Sequence, residues 1–199
     1  FVRPTKGILA IVVFTLSAML LEGASIDWSV IFMRDVFEVS PFINGLAFAA
    51  GALMQAFARF YADGFVDRFG PVKVAKTCIA ILGAGVLIVT FGNLAYLALV
   101  GFGLMGIGTS CIFPLAMSAA AQRTDRSAAS NVASLAQFSF IVFLIGPPAL
   151  GFVAEHFGIR FSFGIGIPLV VVSWFMVYHL VDNKTHKVDI KKNISQDFS

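Results

Sequence analysis

Two carboxylates, Glu22 and Asp27, stand inside a run that is otherwise apolar, in the stretch L-E-G-A-S-I-D-W-S from Leu21. A carboxyl group at mid-membrane costs at least roughly 2.5–3.5 kcal/mol even on the mildest scales. An acid kept there therefore faces a water-filled cavity, where it can bind a polar solute or carry a proton, or it bonds to a neighbouring helix. The solitary position of Glu22 favours the cavity role. Asp27, next to Trp28, fits equally well an acid in headgroup water beside an aromatic belt.

Other polar residues fall into register with Glu22 when the run is wound as a helix. At about 100° per residue, Thr15, Glu22, Ser25 and Ser29 lie within about 80° of one another, whereas Asp27 is about 140° from Glu22. Asp27 joins this stripe only if Gly23-Ala24-Ser25 interrupts the helix. Asn44, Phe48, Gly51 and Gln55 align in the second apolar run, and Ser130, Ser134 and Gln137 in the fifth. Ser25, Asn44, Gln55 and Gln137 are thus candidate contacts for a substrate or proton, with interhelical hydrogen bonding as their alternative role. Gly101, Gly103, Gly106 and Gly108 lead into Pro114, and Gly146-Pro147-Pro148 interrupts the fifth run. These patterns suit close packing and bending.

Enzymatic chemistry finds little support. Ser110 follows Gly108-Thr109, but no histidine accompanies it, since His179 sits at the far end of the sixth run. A serine hydrolase needs both, so catalysis within the membrane is the weakest reading. Cys78 and Cys111 lie in apolar runs without metal-ligand spacing and read as packing residues. Neither a metal nor a cofactor is expected.

The elements that must carry these residues follow from composition. With 58% hydrophobic and 13% charged residues, the chain reads as an integral membrane protein rather than a soluble domain or a nucleic-acid binder. Apolar runs near 7–33, 41–62, 74–92, 95–120, 131–154 and 160–181 are each long enough to cross a core of about 30 Å as a helix. The expected fold is an all-α bundle of six transmembrane helices over 1–182, followed by a polar cytoplasmic tail, 183–199, expected to be disordered. Of the 14 lysines and arginines, only Arg34 and Arg160 fall on one side. The positive-inside rule then places both termini in the cytoplasm, for which a bacterial inner membrane is the expected setting. A first residue other than methionine suggests a piece of a longer protein.

An internal echo divides the six runs. G-F-V-D-R-F-G-P-V-K starts at Gly64 and G-F-V-A-E-H-F-G-I-R at Gly151, each just before the third run of its triplet. Three helices per unit is an odd number, so the second unit is inverted relative to the first. The polar stripes predict a cavity among helices one, two, four and five, with the nearly apolar third and sixth outside.

The loop after the second run carries Arg59, Asp63, Asp67, Arg68, Gly70 and Lys73 as R-x-x-x-D-x-x-x-D-R-x-G-x-x-K. It resembles the signature loop of the major facilitator superfamily, G-x-x-x-D-R-x-G-R-K, with Asp63 at the first glycine's place and Pro71-Val72 interrupting the basic pair. The stretches around Glu22, Phe113-Pro114 and Gly146 are similar to helices seven, ten and eleven of its fucose-permease-like bacterial branch. The resemblance implies half of a twelve-helix fold, with an N-terminal six-helix half as partner. It also implies a secondary active transporter that moves a small solute across the bilayer by alternating access, with protons as the coupling ion. Arg59, Asp63, Asp67, Arg68 and Gly70 would form a cytoplasmic gate of ion pairs, the alternative being a basic loop that only fixes topology. The sparse polar lining, without a lysine or arginine facing the cavity, points to a neutral or cationic substrate. A non-transporting receptor or scaffold on the same fold is the alternative function.

Overall fold

The computed structural model describes residues 3–181. The expected tail, 183–199, lies outside them. The described residues form helices and no strand: α1 (Lys6–Phe37), α2 (Pro41–Phe69), α3 (Pro71–Phe91), α4 (Ala95–Ser110), α5 (Ile112–Gln122), α6 (Ala128–Phe157), α7 (Ile159–Gly164) and α8 (Gly166–Met176), closed by a 3₁₀ turn at Val177–Leu180. Six stretches are long and apolar enough to span a membrane, with α4 and α5 forming the fourth and α7, α8 and the final turn the sixth.

The breaks and caps have local causes. Thr5 begins α1 by accepting the Ile8 amide at 3.3 Å, satisfying one of the donors that every helix start leaves open. Pro114 lacks an amide and fits the first turn of α5, where no intrahelical partner is needed. The fourth span accordingly breaks at Cys111. Pro147 and Pro148, by contrast, lie within a continuous α6. There the chain packs on α1: a Cβ at Gly146 would meet Leu20 at 3.1 Å, and one at Gly151 would meet Trp28 at 3.2 Å.

Gly70 and Gly158, corresponding positions of the sequence echo, have nearly the same conformation, φ 82° with ψ 156° and φ 88° with ψ 153°. That region is open essentially to glycine alone. Each ends one helix and starts the next directly, so two short stretches of like sequence encode one sharp corner twice. The packing repeats as well. The first span packs on the fifth and sixth, and the fourth on the second and third, so each unit's leading helix is seated on the other unit's second and third. This is the arrangement of two intertwined three-helix repeats.

The alternative left open at Gly23-Ala24-Ser25 is resolved. α1 runs unbroken through Gly23-Ala24-Ser25, so Asp27 stays off the Glu22 stripe and is exposed. Within this six-helix half the third and sixth spans are more buried than α2 and α6. α2 and α6 carry large apolar side chains beside their polar ones. Phe57, Phe60, Phe140 and Leu144 are all exposed.

Candidate functional site

Close approach of α2 to α4 creates the site. Gly51 and Gly106 meet backbone to backbone; a Cβ on Gly106 would fall 2.1 Å from the Gly51 carbonyl oxygen. The next polar layer toward the C-terminal end of α2 is brought to the same level, and it meets Glu22 from α1. Gln55 donates its Nε2 to Glu22 Oε1 at 2.8 Å and to Thr109 Oγ1 at 3.2 Å. Arg59 Nη2 reaches the same Oε1 at 3.4 Å. Among the described residues no hydrogen bond is made to Oε2. Beside this cluster lies a cavity of about 170 Å³ lined by Glu22, Ser25, Ile26, Phe48, Gly51, Gln55 and Thr109 among others.

The Glu22 side chain keeps 16% of its exposure and that of Arg59 49%. An unpaired carboxylate buried this far would be costly, and the arginine with the glutamine amide offsets that cost. Arg59 also donates its Nε to the Ser110 carbonyl at 3.2 Å. That carbonyl is the one a helix would give to the amide of residue 114, which proline does not have.

The candidates named from sequence separate here. Glu22, Ser25 and Gln55 come together at one cavity. Asn44 is buried two turns from Gly51, and Gln137 is half-buried on α6; neither lines that cavity. Asp27 does not line it either. Arg59 is displaced from its expected place: instead of pairing with Asp63 or Asp67 it turns inward to Glu22, which corrects the expectation that no arginine would face this region. Asp63, Asp67 and Arg68 are exposed on the last turns of α2, with Arg68 stacked over Phe69 at 5.2 Å. Thr109 and the Ser110 carbonyl were not anticipated as site groups. The small-residue run around them marks close packing, and the proline four residues after Ser110 was the available signal that its carbonyl would be free.

A second polar cluster lies at the other end of α1, outside the spans. Asp125 accepts from the Thr5 hydroxyl and, at 3.0 Å, from Asn131 Nδ2, with Arg123 Nε at 3.8 Å. Asn131 also donates to the Arg123 carbonyl at 3.3 Å, and Arg126 to the Arg3 carbonyl at 2.7 Å. The Thr5 hydrogen bond, helped by Asn131 and the Arg123 charge, holds the Asp125 carboxyl below the usual carboxylate range. These contacts tie the start of α1 to the loop between α5 and α6. No group of three or more histidine, cysteine or acidic residues is placed to hold a metal among the described residues.

Comparison with known proteins gives the family. The family model of the Major Facilitator Superfamily matches residues 8–196. The chain belongs to this superfamily. It is 31% identical over 82% of its length to an uncharacterized transporter of Sinorhizobium fredii, and 30% identical over 82% to an uncharacterized MFS-type transporter of Yersinia pestis. It is also 26% identical over 81% to the membrane protein MosC of Rhizobium meliloti. The matched regions make up 44%, 43% and 40% of those relatives, so the chain spans less than half their length. Its six spans in two related triplets are those of half a major facilitator fold. The relatives' names do not separate the fucose-permease-like branch from others.

Proposed function

We propose that the chain is the C-terminal six-helix half of a secondary active transporter, and that it moves a small solute by alternating access with protons as the coupling ion. The observation that carries the reading is Glu22. It is an acid in a membrane span, mostly buried, with one oxygen engaged and the other without a hydrogen bond among the described residues, beside a cavity at the junction of α1, α2 and α4. An acid so placed can take up and release a proton while remaining bonded on its other side.

Paired with Arg59, Glu22 leaves the site close to neutral. A neutral solute rich in hydroxyls, such as a sugar, suits it better than an anion or a free cation, because Oε2, the Gln55 amide and Thr109 are neutral or singly charged hydrogen-bonding groups. The exposed aromatic and aliphatic side chains of α2 and α6 support an N-terminal half packed against them, with the solute held between the halves. Asp67 and Arg68 remain available as gate residues toward that half, and the cytoplasmic placement of both ends follows the distribution of basic residues.

The test is solute-driven proton movement in vesicles containing the full-length parent protein, with neutral sugars screened first. Proton flux that depends on the solute and is lost on Glu22→Gln is the expected result. Solute movement without protons would remove the coupling role from Glu22. Absence of flux with every solute would favour a receptor or scaffold.

A further inference from the structure

Arg59 holds two acceptors on different helices with one edge of its guanidinium. Nη2 lies 3.4 Å from Glu22 Oε1 on α1, and Nε 3.2 Å from the Ser110 carbonyl at the end of α4. The first acceptor loses its charge when protonated. The second is a fixed dipole at the negative end of a helix, which favours a cation whatever the state of Glu22. It is open to Arg59 because Pro114 supplies no amide to it. The neighbouring end groups are already served: the Ser110 hydroxyl donates to the Ile107 carbonyl at 2.6 Å, and the Thr109 hydroxyl to that of Gly106 at 3.2 Å.

We propose that Pro114 is a positioning residue that gives Arg59 a second seat, making Arg59 a switch between the Glu22 carboxylate and the broken end of α4. With Glu22 ionised, the arginine is shared between the two. When Glu22 takes a proton from water, the attraction to Oε1 falls away and the Ser110 carbonyl keeps the guanidinium, drawing α2 onto the α4–α5 break. The state of one acid on α1 is thereby passed to the contact between α2 and the fourth span. Arg59 is the charged group that reaches Glu22: α2 also carries Asp63, one turn further on, whose charge bears with that of Arg59 on Cys111 at the break, and Asp67 and Arg68 beyond it, whereas α4, α5 and α8 carry no charged residue and α6 carries only Glu155 and His156 in its last turn. Asp27, on α1 itself, is exposed and on a different face.

The inference rests on Glu22 being the coupling acid, and its test keeps the two apart. An apolar carbodiimide reacts with a protonated carboxyl in the membrane, so the labelled fraction of the Glu22 peptide, read by mass spectrometry at one pH near neutrality, reports how readily the acid is neutralised. In the full-length protein, Pro114→Ala returns an amide to the Ser110 carbonyl, confines Arg59 to Glu22 and lowers labelling by about threefold to tenfold, the effect of redirecting one hydrogen bond of ordinary net strength. Pro114→Gly, which restores the same amide in a looser helix, shifts labelling in the same direction. Arg59→Gln raises labelling, and in that background Pro114→Ala has no further effect. Unchanged labelling in both proline variants, or an equal drop with and without Arg59, overturns the switch. Solute-driven proton uptake by Glu22→Gln is measured alongside. If uphill uptake survives, the coupling role falls and the switch with it, whereas a flat labelling series with Glu22→Gln inactive overturns the switch alone.

Discussion

Glu22 and Asp125 are both acids with an arginine and an amide side chain for company, yet their surroundings give them opposite characters. Asp125 has both oxygens engaged by neutral donors, Thr5 and Asn131, and its arginine stands off at 3.8 Å. Glu22 has one oxygen engaged, a cavity beside it and an arginine divided between two acceptors. Asp125 joins segments 120 residues apart and has both oxygens engaged, so it serves as a pin. Glu22 sits within a span and retains unused capacity, so it can respond to a proton or a solute. What separates the two acids is not the number of hydrogen bonds they accept, two each, but that those of Asp125 engage both oxygens and those of Glu22 converge on one.

That contrast can be broken most directly at Glu22. In the full-length protein, Glu22→Gln is expected to abolish proton-driven accumulation with little loss of folded protein, and Asp125→Asn to leave accumulation nearly intact. If the two variants exchanged phenotypes, the distinction would be reversed. Next in size is Gly106→Ala. Its Cβ would collide with the Gly51 carbonyl and force α2 away from α4, an overpacking cost of about 1–3 kcal/mol. Both thermal stability and carbodiimide labelling of Glu22 should change, and a variant with the parent's melting temperature would contradict the close approach described for these helices.

Asp125→Asn should cost less, about 0.5–1.5 kcal/mol, because the amide oxygen can still accept one of the two hydrogen bonds. The parent's pH dependence sharpens this point. The folded-state value of Asp125 is held low, so its contribution is complete above the ordinary carboxylate value of about 4 and is lost as the pH falls through the lower folded value. Melting curves from neutral pH downward should show an acid-side drop that Asp125→Asn reduces; an identical slope in both proteins would deny Asp125 its role as a pin. The smallest effect is expected for Asp27→Asn, which alters an exposed side chain off the cavity and should leave transport within about twofold, a change near 0.4 kcal/mol. A large transport loss there would extend the working site beyond Glu22.

The gate pattern shows how far a motif can be read. Arg59, Asp63, Asp67 and Arg68 are close in sequence, and ion pairing among them was the natural expectation. On a helix, however, Arg59 and Asp63 lie one turn apart, and the direction in which the arginine turns depends on what stands opposite. Here that is the Glu22 carboxylate and a carbonyl freed by a proline 55 residues further along. The one-letter pattern contains the arginine but not its partner.

The sequence by itself determined the six spans, the repeated glycine corners at Gly70 and Gly158 and the family, and it made Glu22 conspicuous as an acid within a span. Each is a local property: the membrane demands unbroken apolar runs, the left-handed corner demands glycine, and a buried charge is conspicuous wherever it falls. Only the tertiary structure decided that Arg59 belongs to Glu22, that Thr109 and the Ser110 carbonyl complete the cluster, and that Asp125 ties Thr5 to Asn131. It also set apart Asn44, which helical periodicity had aligned with Gln55, and Gln137 on α6. Those outcomes depend on which faces of distant segments meet, 33 residues apart for Gln55 and Glu22 and 120 for Thr5 and Asp125. Periodicity within one helix specifies a face but not the helix it will meet.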